Sequence, residues 1–146
     1  MANQSNIVIN DGQASPAAVT FTTAGVKFDA KSDKIIATYC DNSSGIAIGR
    51  RTLRANFVNF SKQHASNGVM EEVYDVEVPV LETLAGSTEA GYAAVPKVAY
   101  IVRAQLKFWL PTRATLQNRK DVLAFSKNYL AHSVVTAGIQ DLDPVS

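Results

Sequence analysis

The chain has a single cysteine, Cys40, so an intrachain disulfide is excluded and a thiolate metal site is out of reach. In the run Ile35–Cys40 it reads as a small buried apolar residue of a strand. Histidine is nearly as scarce. His64 and His132 stand far apart, and His64, beside a Ser-Asn-Gly turn, reads as a solvated loop residue. Neither a glycine-rich loop ending in Lys-Ser/Thr nor a G-x-S-x-G elbow is present. Glu71 and Glu72 alternate faces if the segment is a strand, which excludes an acid/base dyad. These gaps exclude the common enzyme classes, and no catalytic residue, metal or cofactor is expected. No stretch approaches the roughly 20 apolar residues of a membrane helix. The first ten residues have no basic region and no long apolar run, so a signal peptide is not expected either. The expectation is a soluble protein made in the cytoplasm, in which the N-x-S triplets at Asn3 and Asn42 are chance.

Charge is also in short supply. Charged residues make up 18% of the 146, where about 25% is usual. A hydrophobic fraction of 47% is ample for one domain spanning 1–146. Many apolar and few charged residues favour a surface that is partly hidden by oligomerisation. The net charge of +1 conceals blocks of opposite sign. Arg50, Arg51, Arg54 and Lys62 occupy an acid-free stretch from Asn42 to Met70. Six acids and no base lie between Glu71 and Glu89, and six bases and no acid between Lys97 and Lys120. Such blocks pair across strands or form faces for a charged partner.

The first two-thirds reads as β-structure. Ile7–Ile9 stops at the turn signal Asn10-Asp11-Gly12, and Val19, Phe21 and Thr23 alternate with threonines. Ile35–Cys40 follows, then a longer strand from about Ile46 to Lys62, and the turn Ser66-Asn67-Gly68. Val73–Val80 alternates, with Tyr74, Val76 and Val78 opposite Asp75 and Glu77. Pro79 suggests that pairing loosens at the end of this strand. Leu84–Pro96 is loop-like. Lys97 to Leu110 is the clearest strand: its even positions from Val98 to Leu110 are apolar, and its odd positions include Lys97, Arg103, Gln105 and Lys107. After Pro111 the period changes. Leu116, Val122, Leu123, Phe125, Tyr129 and Leu130 recur at helical spacing behind the candidate N-cap Thr115, and a second short helix is expected from about Ser133 to Leu142, ended by Pro144. Strands followed by two helices make an α+β fold, with the helices on one face of an antiparallel sheet. Two short helices are little cover for so long an apolar face, and exchange with a partner chain would supply the rest.

The stretch from Tyr100 to Ser146 resembles the end of levivirus coat proteins, the capsid proteins of single-stranded RNA bacteriophages. The shared features are a long alternating strand, a short linker with threonine, a helix with a basic-acidic start and a terminal helix. Ala137-Gly138-Ile139-Gln140-Asp141-Leu142-Asp143-Pro144 is close to the A-I-x-x-L-N-P ending of one branch, and Val76-Glu77-Val78-Pro79 resembles the family's V-x-V-P strand end. The turn Asn10-Asp11-Gly12 falls where the family has its first hairpin. The order of elements agrees over nearly the whole chain; the motifs themselves lie chiefly in its last third.

The resemblance implies an N-terminal hairpin, a five-stranded meander and two helices that lie over a partner's sheet. It implies a homodimer that self-assembles into an icosahedral virion shell, packages genomic RNA and binds an RNA hairpin as a translational repressor. Arg103, Gln105 and Lys107, two apart on the polar side of the clearest strand, would then face the RNA. Alignment to the family adds Arg54 and Asn56. Cations would neutralise phosphates and the amides would bond unpaired bases. The family's adjustable contact between dimers would fall on the loop Leu84–Pro96, with Gly86 and Gly91. Two departures stand out: Asp75 and Glu77 occupy the RNA-facing side, and the loop before the long strand carries none of the cysteines that cross-link some relatives' capsids. Two other readings fit the residues. One is a non-viral nucleic-acid-binding β-domain, with Trp109 and Phe60 stacking bases, although dimer packing or core is the simpler role for both. The other is an assembly module with no RNA role.

Overall fold

The computed structural model describes residues 4–82 and 95–143. Six strands form one antiparallel sheet in the order β1-β2-β3-β4-β5-β6, each beside its neighbour in sequence: β1 (Ile7–Asn10), β2 (Ala18–Asp29), β3 (Lys34–Asp41), β4 (Thr52–Val58), β5 (Val69–Leu81) and β6 (Val98–Pro111). Helices α1 (Leu116–Leu130) and α2 (Ser133–Gln140) follow. β1 and β2 form the N-terminal hairpin, closed by the Asp11 carboxylate, which accepts from the backbone N–H of Ala17 at 2.9 Å. β2 continues past β1 to start the five-stranded meander β2–β6.

One expectation of the strand pattern is corrected. The single strand from Ile46 to Lys62 is broken. A short 3-10 turn at Ala47–Gly49 precedes β4, and another at Phe60–His64 follows it. Asn59 reverses the chain between them with a left-handed φ of 59°, a conformation that asparagine tolerates better than most residues. Pairing loosens at the end of β5 as expected, just past Pro79. β5 pairs with β6 through Pro79 opposite Ile101, and the irregularity comes one step later, between Val80 and Leu81. Pro79 lies beyond the last β4 pair, Thr52 with Glu77, where β5 has one neighbour only and a missing N–H is tolerated. Cys40 lies in β3 as expected but is only half-buried.

Alternation divides the sheet into two faces. The apolar one carries Val26, Phe28, Ile35, Ala37, Tyr39, Leu53, Ala55, Phe57, Tyr74 and Val76, together with the even residues of β6. Tyr74 and Phe108 meet edge to face at 6.2 Å on it. The Tyr74 hydroxyl donates to Glu72 at 2.7 Å; burial, then that carboxylate, pushes its ionisation far above the ordinary range, so it remains a donor.

Much of this face is open in the single chain. Tyr100 is 60% exposed, Val102 57% and Phe28 57%. Among the described residues only Phe21, Ala37, Val73 and Phe108 are buried apolar side chains, a small core for so apolar a sequence. The helices do not cover the gap. Thr115 caps α1 as expected, accepting from the Asn118 N–H, and His132 Nδ1 accepts from Val134 at the start of α2. Neither helix buries a single residue. The apolar residues of α1 fall in two stripes, Leu116-Leu123-Leu130 and Val122-Phe125-Tyr129, and every one of the six is exposed.

Candidate nucleic-acid interface

The opposite face is polar, and the strand registers place its residues in rows. One row reads Thr38, Arg54, Asp75, Gln105; the next, Lys27, Ile36, Asn56, Val73, Lys107. On either side run Cys40, Thr52, Glu77, Arg103 and Asp29, Lys34, Val58, Glu71, Trp109. All five residues expected to face RNA, Arg54 and Asn56 on β4 and Arg103, Gln105 and Lys107 on β6, therefore lie on one face of the sheet, on either side of β5.

Each of them is engaged by an acid. Arg54 grips Glu77 with both terminal guanidinium nitrogens, Nη1 to Oε1 at 3.3 Å and Nη2 to Oε2 at 3.0 Å, and Arg103 Nε reaches the same carboxylate at 3.3 Å. Asn56 Nδ2 donates to Asp75 Oδ2 at 2.6 Å and Gln105 Nε2 to Asp75 Oδ1 at 2.7 Å. Lys107 Nζ is 2.6 Å from Glu71. The opposite charge blocks of the sequence thus meet across β4, β5 and β6. Glu77 is largely covered by its partners, whereas Arg103 remains 65% exposed. Five cations on this face (Lys27, Lys34, Arg54, Arg103, Lys107) meet four acids (Asp29, Glu71, Asp75, Glu77), which leaves it close to neutral. Its guanidinium and ammonium groups can reach a phosphate, but in competition with carboxylates already in place.

The alternation of β5 places Asp75 and Glu77 on this face but gives no sign of Glu71 as the partner of Lys107. Of the two simpler roles expected for Trp109, dimer packing or core, the single chain excludes core. The indole is 61% exposed on the polar face, with Lys107 Nζ 5.0 Å above its ring. The signal was there, since Trp109 shares the odd parity of Lys107. Phe60, the other candidate stacking residue, instead lines the open cleft on the apolar face.

Residues 2–145 match the family model described as levivirus coat protein. Among solved structures, the chain resembles the virus-like particle of bacteriophage ESE058 (32% identity, TM-score 0.86, 99% of this chain and 100% of that one). It resembles that of bacteriophage NT-214 similarly (30%, 0.80, 99% and 100%). The capsid protein of bacteriophage GA shares the fold at 14% identity, with a TM-score of 0.65 over 95% of both chains. No curated protein matches. The chain belongs to the levivirus coat protein family. It is a structural protein of the phage capsid, not an enzyme, and the non-viral reading is set aside.

Proposed function

We propose that two copies of this chain exchange their helices to form an obligate dimer, and that such dimers close into the phage shell as one coat domain per chain. The polar face of the sheet holds the genomic RNA and a hairpin whose capture represses translation. The observation that carries the dimer is the mismatch within one chain. An apolar cleft of about 730 Å³, lined among others by Val26, Ala37, Tyr39, Phe57 and Met70, stands open while α1 leaves both apolar stripes, and α2 its Val134 and Ile139, exposed. A second copy carries the matching groups, and joining them gives the large apolar interface typical of obligate dimers, above about 2,000 Å². Assembly is supported by the relatives whose printed description is a virus-like particle. For RNA, the support is the gathering of Arg54, Asn56, Arg103, Gln105 and Lys107 on one face beside an exposed Trp109.

Leu123→Asp tests the dimer. Leu123 is 60% exposed in the single chain, so a charge there costs a lone subunit little. Packed on a second copy's sheet it becomes a buried unpaired charge. The variant is expected to lose dimers and particles by light scattering and electron microscopy; normal particles would sink the exchange. Wild-type particles are expected to hold nuclease-protected RNA, and a triple alanine variant of Arg54, Arg103 and Lys107 much less. Equal RNA content would leave a shell protein whose sheet face has no RNA role.

A further inference from the structure

We propose that Asp75 is the specificity-determining residue of the polar face and selects an unpaired guanine. The inference rests on the reading of this face as the RNA surface and goes beyond it by naming what the centre of the face recognises.

A carboxylate only accepts hydrogen bonds, so its contacts fix the orientation of both neighbouring amides. Asn56 and Gln105 must turn their NH₂ groups towards Asp75, at 2.6 and 2.7 Å, and their carbonyl oxygens away from it. Each Asp75 oxygen takes one of these bonds, and a carboxylate has about four lone-pair sites, so one remains free on each oxygen. The middle of the face therefore offers acceptors: two carboxylate lone pairs and two amide oxygens. Donors flank them. Arg54 uses two of its guanidinium nitrogens on Glu77 and Arg103 uses one, which leaves N–H groups of both free to bond elsewhere. A depression of about 290 Å³ lies over Arg54, Asp75, Glu77, Arg103 and Gln105.

An unpaired base is read on its exposed edges. Guanine presents two adjacent donors, N1–H and the N2 amino group, which match the two free lone pairs of a carboxylate, and its O6 accepts from a neighbouring guanidinium. Adenine and cytosine each set an acceptor ring nitrogen beside the amino group. Uracil carries one donor between two carbonyls. All three would turn a lone pair towards Asp75, an unpaired polar contact that costs affinity. Negative charge at the centre also disfavours phosphate there, so the backbone is held at the rim, by Lys27, Lys34 and the outer side of Arg103.

The test uses the full chain and a library of RNA hairpins with one fixed stem and a randomised loop; retained RNA is sequenced. Wild-type protein is expected to enrich guanine at one loop position. Asp75→Asn, which exchanges an acceptor for a donor at equal size, is expected to reduce that enrichment about tenfold, while total RNA retained at low salt stays level or rises because a negative charge is gone. Particle formation checks that the variant folds, and Asp75→Ala provides a second removal of the carboxylate. Wild-type protein without a guanine preference, or a preference that survives both variants, overturns the assignment. If wild-type protein retains the library no better than the Arg54/Arg103/Lys107 triple alanine variant, the RNA face itself falls, and the choice of base falls with it.

Discussion

One charged side chain among the described residues is buried. Asp41, at the end of β3, is 3% exposed, and burial by itself would raise its pKa. The backbone N–H and hydroxyl of Ser43, both at 2.9 Å, and Arg51, at 2.6 Å, outweigh that and hold the carboxyl below the usual carboxylate range. A depressed folded-state pKa contributes stability that is complete above the unfolded value, 3.8, and is lost as pH falls through the lower folded value. Acid unfolding curves should therefore steepen below about pH 4, and Asp41→Asn should remove part of that steepening. Arg51→Ala leaves the buried carboxylate without its cation and is expected to cost about 3 kcal/mol, read from urea unfolding at pH 7. An unfolding midpoint within error of wild type would show that the Ser43 bonds alone hold the charge.

At the level of elements, the junction between the Phe60–His64 turn and the end of β6 is the tightest constraint. Gly68 is buried, and a Cβ placed on it would run into the backbone carbonyl of Lys62, a group that cannot swing aside. The Gly68 carbonyl accepts from Thr112 N–H at 2.9 Å, and the Thr112 hydroxyl donates to Ala65 at 2.7 Å, so this turn fastens the last strand just before α1. Gly68→Ala is expected to destabilise by about 1–3 kcal/mol and to loosen the start of α1, seen as faster amide exchange near Thr115. Wild-type exchange there would place the fastening elsewhere. Ser66-Asn67-Gly68 was legible as a turn from residue types alone, and β6 from strict alternation. The Thr115 cap was legible from one side chain and the change of period after Pro111. The interruptions flanking β4 were not. Ile46, Ile48 and Phe60 keep an apolar pattern through both 3-10 turns, and only the left-handed Asn59 betrays one of them. On the polar face, parity along β6 placed Arg103, Gln105 and Lys107 together, but the pairing of Lys107 with Glu71 depends on the β5–β6 register, which no single strand encodes. The proposed adjustable loop, Leu84–Pro96 with Gly86 and Gly91, falls almost wholly outside the described residues.

For the molecule as a whole, β6 hands the chain to helices that find nothing to bury in their own subunit. On the proposed dimer, completion of the fold is a collision between two chains, and its rate would be second order. Refolding from denaturant should slow about tenfold for each tenfold dilution, because the proposed obligate dimer leaves no stable folded monomer. A rate independent of concentration would mean that a lone subunit closes on itself. Abundance becomes a clock. A scarce chain would stay longer with the apolar face of its sheet bare, and an abundant one would pair sooner. On that dimer, the rate at which chains accumulate would set how soon the fold is completed.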